Sequence, residues 1–383
     1  MSVRKRKKAL PAIILTGLFF FCCLSGAAGA SGASSADRRI TVRTRVTKWG
    51  QLPYAFVVEG QSLPEGLTPG DFTLTGEAGS WGARDTHPFS CGIRQVSAEA
   101  DGWRLEPEDF PEKYFYVRSL TLTCAAAPEL GFTLEDVTAV ETETADLFTL
   151  WESDNHMIKA QVYQPEQPDP LPVVVVFHGY GDTANLLTYR TAVDWAEPEH
   201  QQVRPCMVIA PVIEDTLYAS DNARTKIYRQ LMDWIDALIA EGRADPGRIY
   251  LMGNSFGGMA SFEMAEQYPD RIAAVLALCP ALGYSKTALA SLPAIAGIPV
   301  LMAHAEHDET IPVSFSRQAA QLLEEAGGQV ELIVFGDAEM EAAGASLGSE
   351  NVYSFHHVEL CLLENTDYAD WLFARQRGGN TGD

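Results

Sequence analysis

The sequence predicts two domains, a small all-β sandwich followed by a larger α/β domain whose mostly parallel sheet is flanked by helices. Three observations carry that expectation. After Thr142, unbroken apolar runs such as Pro172–Phe177 alternate with helical stretches, the pattern of a parallel sheet covered on both faces. From about Ile40 to Glu135, short period-two stretches are separated by turn clusters, with no helical segment between them. Finally, the β-forming run Ile249–Met252 enters Gly253-Asn254-Ser255-Phe256-Gly257-Gly258, and a helical stretch leaves it.

The first residues stand apart from both domains. Arg4-Lys5-Arg6-Lys7-Lys8 precedes an apolar run from Ala9 to Leu24, then Ala28-Gly29-Ala30 and Ser31-Gly32-Ala33. A basic segment, an apolar segment and a small-residue cleavage site read as a secretory signal peptide over residues 1–30. A membrane anchor is the weaker reading, because Pro11 and Gly17 interrupt a run already slightly short for a bilayer. Lipidation at Cys22 or Cys23 is disfavoured by Phe19-Phe20-Phe21 before it. Removal of this leader takes the net charge from −23 to about −28. So acidic a chain argues against nucleic acid and anionic membrane surfaces as partners, and export makes it a secreted protein with no stable membrane association. Oligomeric state is open.

Five cysteines follow the leader: Cys91, Cys124, Cys206, Cys279 and Cys361. Cys91 and Cys124 are candidates for one disulfide, which an exported protein permits. Cys206 and Cys279 border apolar runs and read as small buried residues.

The sandwich is expected over residues 37–138. Ile40–Val46, Tyr54–Val58, Asp71–Thr75, Gly92–Val96 and Tyr114–Thr123 are its strand candidates, spaced by clusters such as Leu63-Pro64-Glu65-Gly66. Trp81, Trp103 and Tyr114 read as core residues rather than a glycan-facing surface. Nothing in this region carries a catalytic pattern.

The α/β domain is expected over 139–377, with a disordered tail at 378–383. Leu147–Trp151 and Met157–Tyr163 form a hairpin, and buried strands follow at Pro172–Phe177, Met207–Pro211, Arg248–Met252, Ala274–Leu278, Val300–Ala303 and Val330–Phe335. Helices are expected at Thr225–Glu241, Gly258–Tyr268, Phe315–Ala326 and Thr366–Arg375.

Strand, Gly-x-Ser-x-Gly turn and helix together make the context of a nucleophile elbow. The serine sits at the apex of a strained turn, and Gly253 and Gly257 flank it because side chains there would strike the neighbouring elements. A catalytic Ser255 needs an oxyanion hole, an acid and a base. The strand ending at Phe177 runs into His178-Gly179-Tyr180-Gly181, so the backbone amides of Tyr180 and Phe256 are the candidate oxyanion donors. His178 reads as a loop-bonding residue. Asp308 follows the strand Val300–Ala303 and is the candidate acid, with Glu306 and Glu309 as competitors. His304 and His307 beside it lack the ligand set of a metal site, and no metal or organic cofactor is expected. Downstream of Asp308 only His356 and His357 remain as the base, completing the chain order Ser, Asp, His.

These residues resemble the α/β-hydrolase superfamily, within the secreted esterases related to polyhydroxybutyrate depolymerases, feruloyl esterases and predicted peptidase proteins. The resemblance covers about Leu147 to Arg377 and rests on His178–Gly181, Asp245–Met259, Tyr268–Ala274 and His304–Pro312. It implies an α/β-hydrolase fold behind an immunoglobulin-like N-terminal domain. Relatives carry an Asn and a Trp-Leu after the catalytic histidine; Asn365 and Trp371-Leu372 fit His356, leaving His357 as the alternative base. Glu359 departs from the family, where many relatives place a tryptophan. The implied activity is serine carboxylic-ester hydrolysis through an acyl-enzyme. The substrate is then a small-molecule or polysaccharide-linked ester, an acyl or feruloyl group or a polyester oligomer. A serine peptidase of the same fold, or a carbohydrate- or cell-surface-binding protein with an inactive hydrolase scaffold, is the alternative.

Overall fold

The computed structural model describes residues 38–79, 86–108, 116–167, 170–183, 186–346, 354–364 and 366–377. The expectations for the leader at 1–30, the tail at 378–383, Cys22, Cys23, Trp81, Tyr114 and Asn365 fall outside them. The chain divides into two compact units. One runs through Thr44 and takes in Gln51–Glu141; the other consists of Arg45–Gly50 and Thr142 onward.

The first unit is all β. Its strands are β1 (Arg39–Thr47), β2 (Gly50–Glu59), β3 (Phe72–Gly79), β4 (Thr86–Cys91), β5 (Ile93–Glu99), β6 (Gly102–Pro107), β7 (Tyr116–Cys124), β8 (Phe132–Thr133) and β9 (Ala139–Thr142). They make two sheets of order β5-β6-β2-β1-β9 and β4-β3-β7-β8, a sandwich. Period-two burial on β3 and β6 turns Leu74, Trp103 and Leu105 inward, and Trp103 packs on Phe72 with ring centroids 5.7 Å apart. Trp103 is thus a core residue, as its surroundings in sequence suggest. The candidate disulfide is not made. Cys91 lies on β4 and Cys124 on β7, with β3 hydrogen-bonded between them. Two strand spacings, about 9.6 Å, exceed the Cα reach of a disulfide.

The second unit is a three-layer α/β structure. Its strands are β10 (Thr149–Glu152), β11 (Lys159–Tyr163), β12 (Leu171–Phe177), β13 (Met207–Val212), β14 (Ala244–Asn254), β15 (Ala274–Leu278), β16 (Val300–Ala305) and β17 (Val330–Phe335). The sheet order is β10-β11-β13-β12-β14-β15-β16-β17. The hairpin β10–β11 joins β13 antiparallel, and every later pairing is parallel. All of β12 and β15 is buried because helices cover both faces. That is why these strands read as unbroken apolar runs rather than alternating ones.

The main helices span Asp221–Ala240, Phe256–Gln267, Ser314–Glu325 and Asp367–Phe373. Under the sheet one salt-bridged network is buried. Arg224, 2 % exposed, bonds Glu263 at 2.7 Å, and Tyr228 donates to the same carboxylate at 2.9 Å. Register matters most for function. Phe177 pairs with Gly253, Asn254 with Leu278, and Leu278 with Ala303, so β12, β14, β15 and β16 end side by side. In open α/β sheets, sites form at such carboxyl ends.

Candidate active site

The elbow is as strained as a nucleophile turn requires. Ser255 has φ +56° and ψ −119°, a region closed to most side-chain-bearing residues. Glycine is mandatory on either side of it. A Cβ on Gly253 would lie 2.4 Å from the carbonyl carbon of Gly257, and one on Gly257 would lie 2.1 Å from the Phe177 carbonyl oxygen. Met259 and Ala281 amides both donate to the Ser255 carbonyl, at 3.1 and 3.0 Å, and the Ser255 amide donates to Leu278 at 2.8 Å. The side chain stands at the N-terminus of the helix Phe256–Gln267, where unsatisfied amides concentrate positive potential.

The loop after β12 is fixed from below. The amide of Ile213 donates to His178 Nε2 at 3.0 Å, so that nitrogen carries no proton, and Nδ1 donates to the Gly179 carbonyl at 2.7 Å. Burial favours this neutral ring and lowers its pKa. His178 therefore holds the loop, as its position in sequence suggests. Tyr218 donates its hydroxyl to the His178 carbonyl at 2.8 Å, and Asp215 accepts the Gly181 amide at 2.9 Å. Gly181 takes φ +86°. The amides of Tyr180 and Phe256 have no acceptor among the described residues. The Tyr180 ring is 53 % exposed and lies 5.2 Å from Phe256, which also meets Tyr284 at 5.5 Å.

Asp308 follows β16 and is buried. Its Oδ1 accepts the amides of Thr310 and Ile311 at 2.8 and 2.9 Å. Its Oδ2 faces His356 Nδ1 at 2.7 Å and His304 Nε2 at 3.3 Å. Burial pushes this carboxyl up, but hydrogen bonds from His304, His356 and the backbone outweigh it and hold it well below the usual range. His304 Nε2 also meets the Ile311 carbonyl at 2.9 Å and so carries its proton, while Nδ1 accepts from Ser316 Oγ at 2.7 Å. The histidine next to the acid is thus a buried prop.

Of the two candidate bases, His356 is the one bonded to Asp308. His357 turns instead to Glu359, with Nδ1 2.8 Å from Oε1. That pair lines a small cavity with His178, Asp182 and Asn254, closed on its other sides by residues that include Val176 and Leu186. Burial there drives the Asp182 carboxyl up to about 6. The competing acids lie elsewhere: Glu306 pairs with Arg317 at the surface, and Glu309 is exposed. Among the described residues, one group of metal-ligand atoms gathers within 4.8 Å, on Cys279, Asp308 and His356. Two of its three members, Asp308 and His356, are hydrogen-bonded to each other.

Sequence reasoning missed His304, Ser316, Asp215 and Cys279 as supports of the site. Asp215 and Cys279 bond residues far away in the chain and carry no motif, whereas His304 and Ser316 lie close to Asp308 in sequence. The one usable signal was the nine-residue run His304–Pro312, whose density of polar residues marks a loop packed against chemistry.

A parallel sheet whose strand ends gather an elbow serine, a histidine and a buried aspartate defines an α/β-hydrolase. Residues 157–349, about half of the chain, match the family model described as phospholipase/carboxylesterase, and the chain belongs to that family. The matched segment includes Ser255 and Asp308 and stops short of His356. The fold is also that of a crystal structure of a thermostable esterase, with TM-score 0.69 and 23 % identity over 88 % of this chain and 100 % of that one. An esterase 2 from Thermogutta terrifontis, phosphorylated by paraoxon, is 20 % identical over 60 % of this chain and 94 % of that one, with TM-score 0.42. A Pyrobaculum calidifontis esterase is 17 % identical over 49 % of this chain and 74 % of that one, with TM-score 0.36. No curated protein matches the chain.

Proposed function

We propose that this chain is an exported serine esterase that cleaves carboxylic esters through an acyl-enzyme on Ser255. The carrying observation is the hydrogen-bonded pair of Asp308 and His356. His356 Nδ1 is held 2.7 Å from a buried, ionised Asp308, beside a serine locked in an elbow. His356 Nε2 takes the Ser255 proton as Oγ attacks the ester carbonyl carbon. Tyr180 and Phe256 amides receive the charge that develops on the carbonyl oxygen. The imidazolium returns the proton to the departing alcohol, and Asp308 steadies that cation. Water then attacks the acyl-serine with the same base, releasing the acid and restoring Ser255.

The exposed Tyr180 and Tyr284 rings on either contact of Phe256 support a substrate with an apolar or aromatic group near the scissile bond. A hydroxycinnamoyl or short acyl group on a polysaccharide, or a polyester oligomer, meets that description. The basic and apolar leader supports export.

Hydrolysis of nitrophenyl esters from acetyl to long acyl chains, and of methyl ferulate, tests the reading with Ser255→Ala as control. Turnover that disappears in the variant is expected. Turnover that survives Ser255→Ala, or a folded wild type inert toward every ester, overturns it.

A further inference from the structure

Directly after β15 the backbone does something rare for a side-chain-bearing residue. Cys279 has φ +36° and is completely buried, a conformation that persists only where its surroundings enforce it. Four hydrogen bonds of the turn Leu278–Ala281 reach three different parts of the site. Leu278 accepts the Ser255 amide at 2.8 Å and Ala281 donates to the Ser255 carbonyl at 3.0 Å, clasping the nucleophile from both sides. The Cys279 amide donates to Ala303 at 2.8 Å, on the strand that leads to Asp308. The Cys279 thiol donates to the His356 carbonyl at 3.3 Å. Among the described residues, that carbonyl has no other donor.

We propose that Cys279 is a positioning residue for His356. Its thiol sets the height of the histidine-bearing loop over Ser255, while Asp308 sets the rotation of the ring. The inference rests on the esterase reading of Ser255, Asp308 and His356. His356 lies in a stretch without helix or strand, so regular structure does not hold its backbone. Proton transfer needs the base within a few tenths of an ångström of its place. The side-chain end of the residue is tied to Asp308; at the backbone end the amide donates to Ser354 Oγ at 3.3 Å within the same loop, and the thiol supplies the tie from the carbonyl to the Ser255 turn. Sulfur suits the geometry, since its longer bonds and larger radius span 3.3 Å from a turn that cannot move closer without breaking the clasp on Ser255. Burial, with the Asp308 carboxylate nearby, also keeps the thiol protonated and therefore a donor.

The test is steady-state kinetics of the full chain with Cys279→Ala, Cys279→Ser and Cys279→Gly, alongside thermal melting. Cys279→Ala is expected to lower kcat about tenfold, the worth of one lost hydrogen bond at the base, with KM within about twofold. Cys279→Ser regains a donor and is expected to return kcat to within about threefold of wild type. Cys279→Gly removes the thiol while easing the backbone, so it reports the same loss even if Cys279→Ala does not fold. The downfield proton resonance of His356 Nδ1–H is expected to broaden in the Ala and Gly variants and to sharpen again in Ser. Wild-type kcat in Cys279→Ala or Cys279→Gly, or no recovery in Cys279→Ser, overturns the proposal and leaves the esterase reading intact. A wild type that neither hydrolyses esters nor reacts with a fluorophosphonate defeats the esterase reading itself.

Discussion

Asp308→Asn is expected to disable His356 while leaving the chain folded. The carboxylate serves four donors: two backbone amides at 2.8 and 2.9 Å on Oδ1, and His356 and His304 at 2.7 and 3.3 Å on Oδ2. An amide keeps one acceptor oxygen. Left with the two backbone amides, that oxygen turns the new NH₂ toward both histidines. His304 Nε2 already carries a proton for the Ile311 carbonyl, so a donor then faces a donor. His356 must offer a lone pair at Nδ1, which moves its proton to Nε2, where the Ser255 proton has to go. In the serine-protease triad this wrong tautomer costs about 10⁴ in kcat, equivalent to about 5.5 kcal/mol of barrier. The stability cost is smaller, on the order of 1–3 kcal/mol for the lost charge-assisted bonds. Single-turnover ester hydrolysis, read beside thermal unfolding of the same samples, measures both. A folded Asp308→Asn protein within tenfold of wild-type kcat refutes the assignment of acid and base.

Other perturbations read different parts of the structure. Gly257→Ala places a Cβ 2.1 Å from the Phe177 oxygen and 2.7 Å from the His178 oxygen, both main-chain atoms. The melting midpoint should fall by the equivalent of about 1–3 kcal/mol or more, with activity down at least about tenfold as the oxyanion loop is pushed away. His356→Ala should abolish turnover, whereas His357→Ala, which removes a partner of Glu359 and not of Asp308, should leave kcat within about tenfold; equal losses in rate assays would contradict the choice of base. Glu266 is raised from 4.5 to about 8 by burial first and the Glu263 charge second. A carboxyl raised on folding contributes stability that is complete below its unfolded pKa and is lost as pH rises through the folded one. Glu266→Gln should therefore melt like wild type near pH 5 and higher than wild type above pH 8, and a midpoint difference that does not vary with pH would contradict that placement.

Much of the catalytic unit was legible because its signals are local. The strand Ala274–Leu278 is bounded as its apolar run suggests, since burial on both faces leaves no alternation to confuse, and Val330–Phe335 lies where expected although, as the edge strand of the sheet, it is only partly buried. The elbow was legible because sterics at Gly253 and Gly257 admit one residue type. The sandwich was less so. β6 (Gly102–Pro107) went unrecognised, its short run opening on a glycine and closing on a proline. The strands at Thr86–Cys91 and Ala139–Thr142 are likewise short and carry few β-formers. The Cys91–Cys124 pairing failed because sequence distance says nothing about the strand that intervenes. Cys279 reads from sequence as a small buried residue, which it is. Its positive φ and its bond to a residue 77 positions away are tertiary facts that no local pattern encodes.

The most direct test of the account is covalent capture. Wild type is treated with a fluorophosphonate and the modified residue located by peptide mass spectrometry, with His356→Ala run in parallel. The account predicts one adduct, on Ser255, formed far more slowly without His356. Modification at another residue, or equal labelling rates in the two proteins, would contradict it.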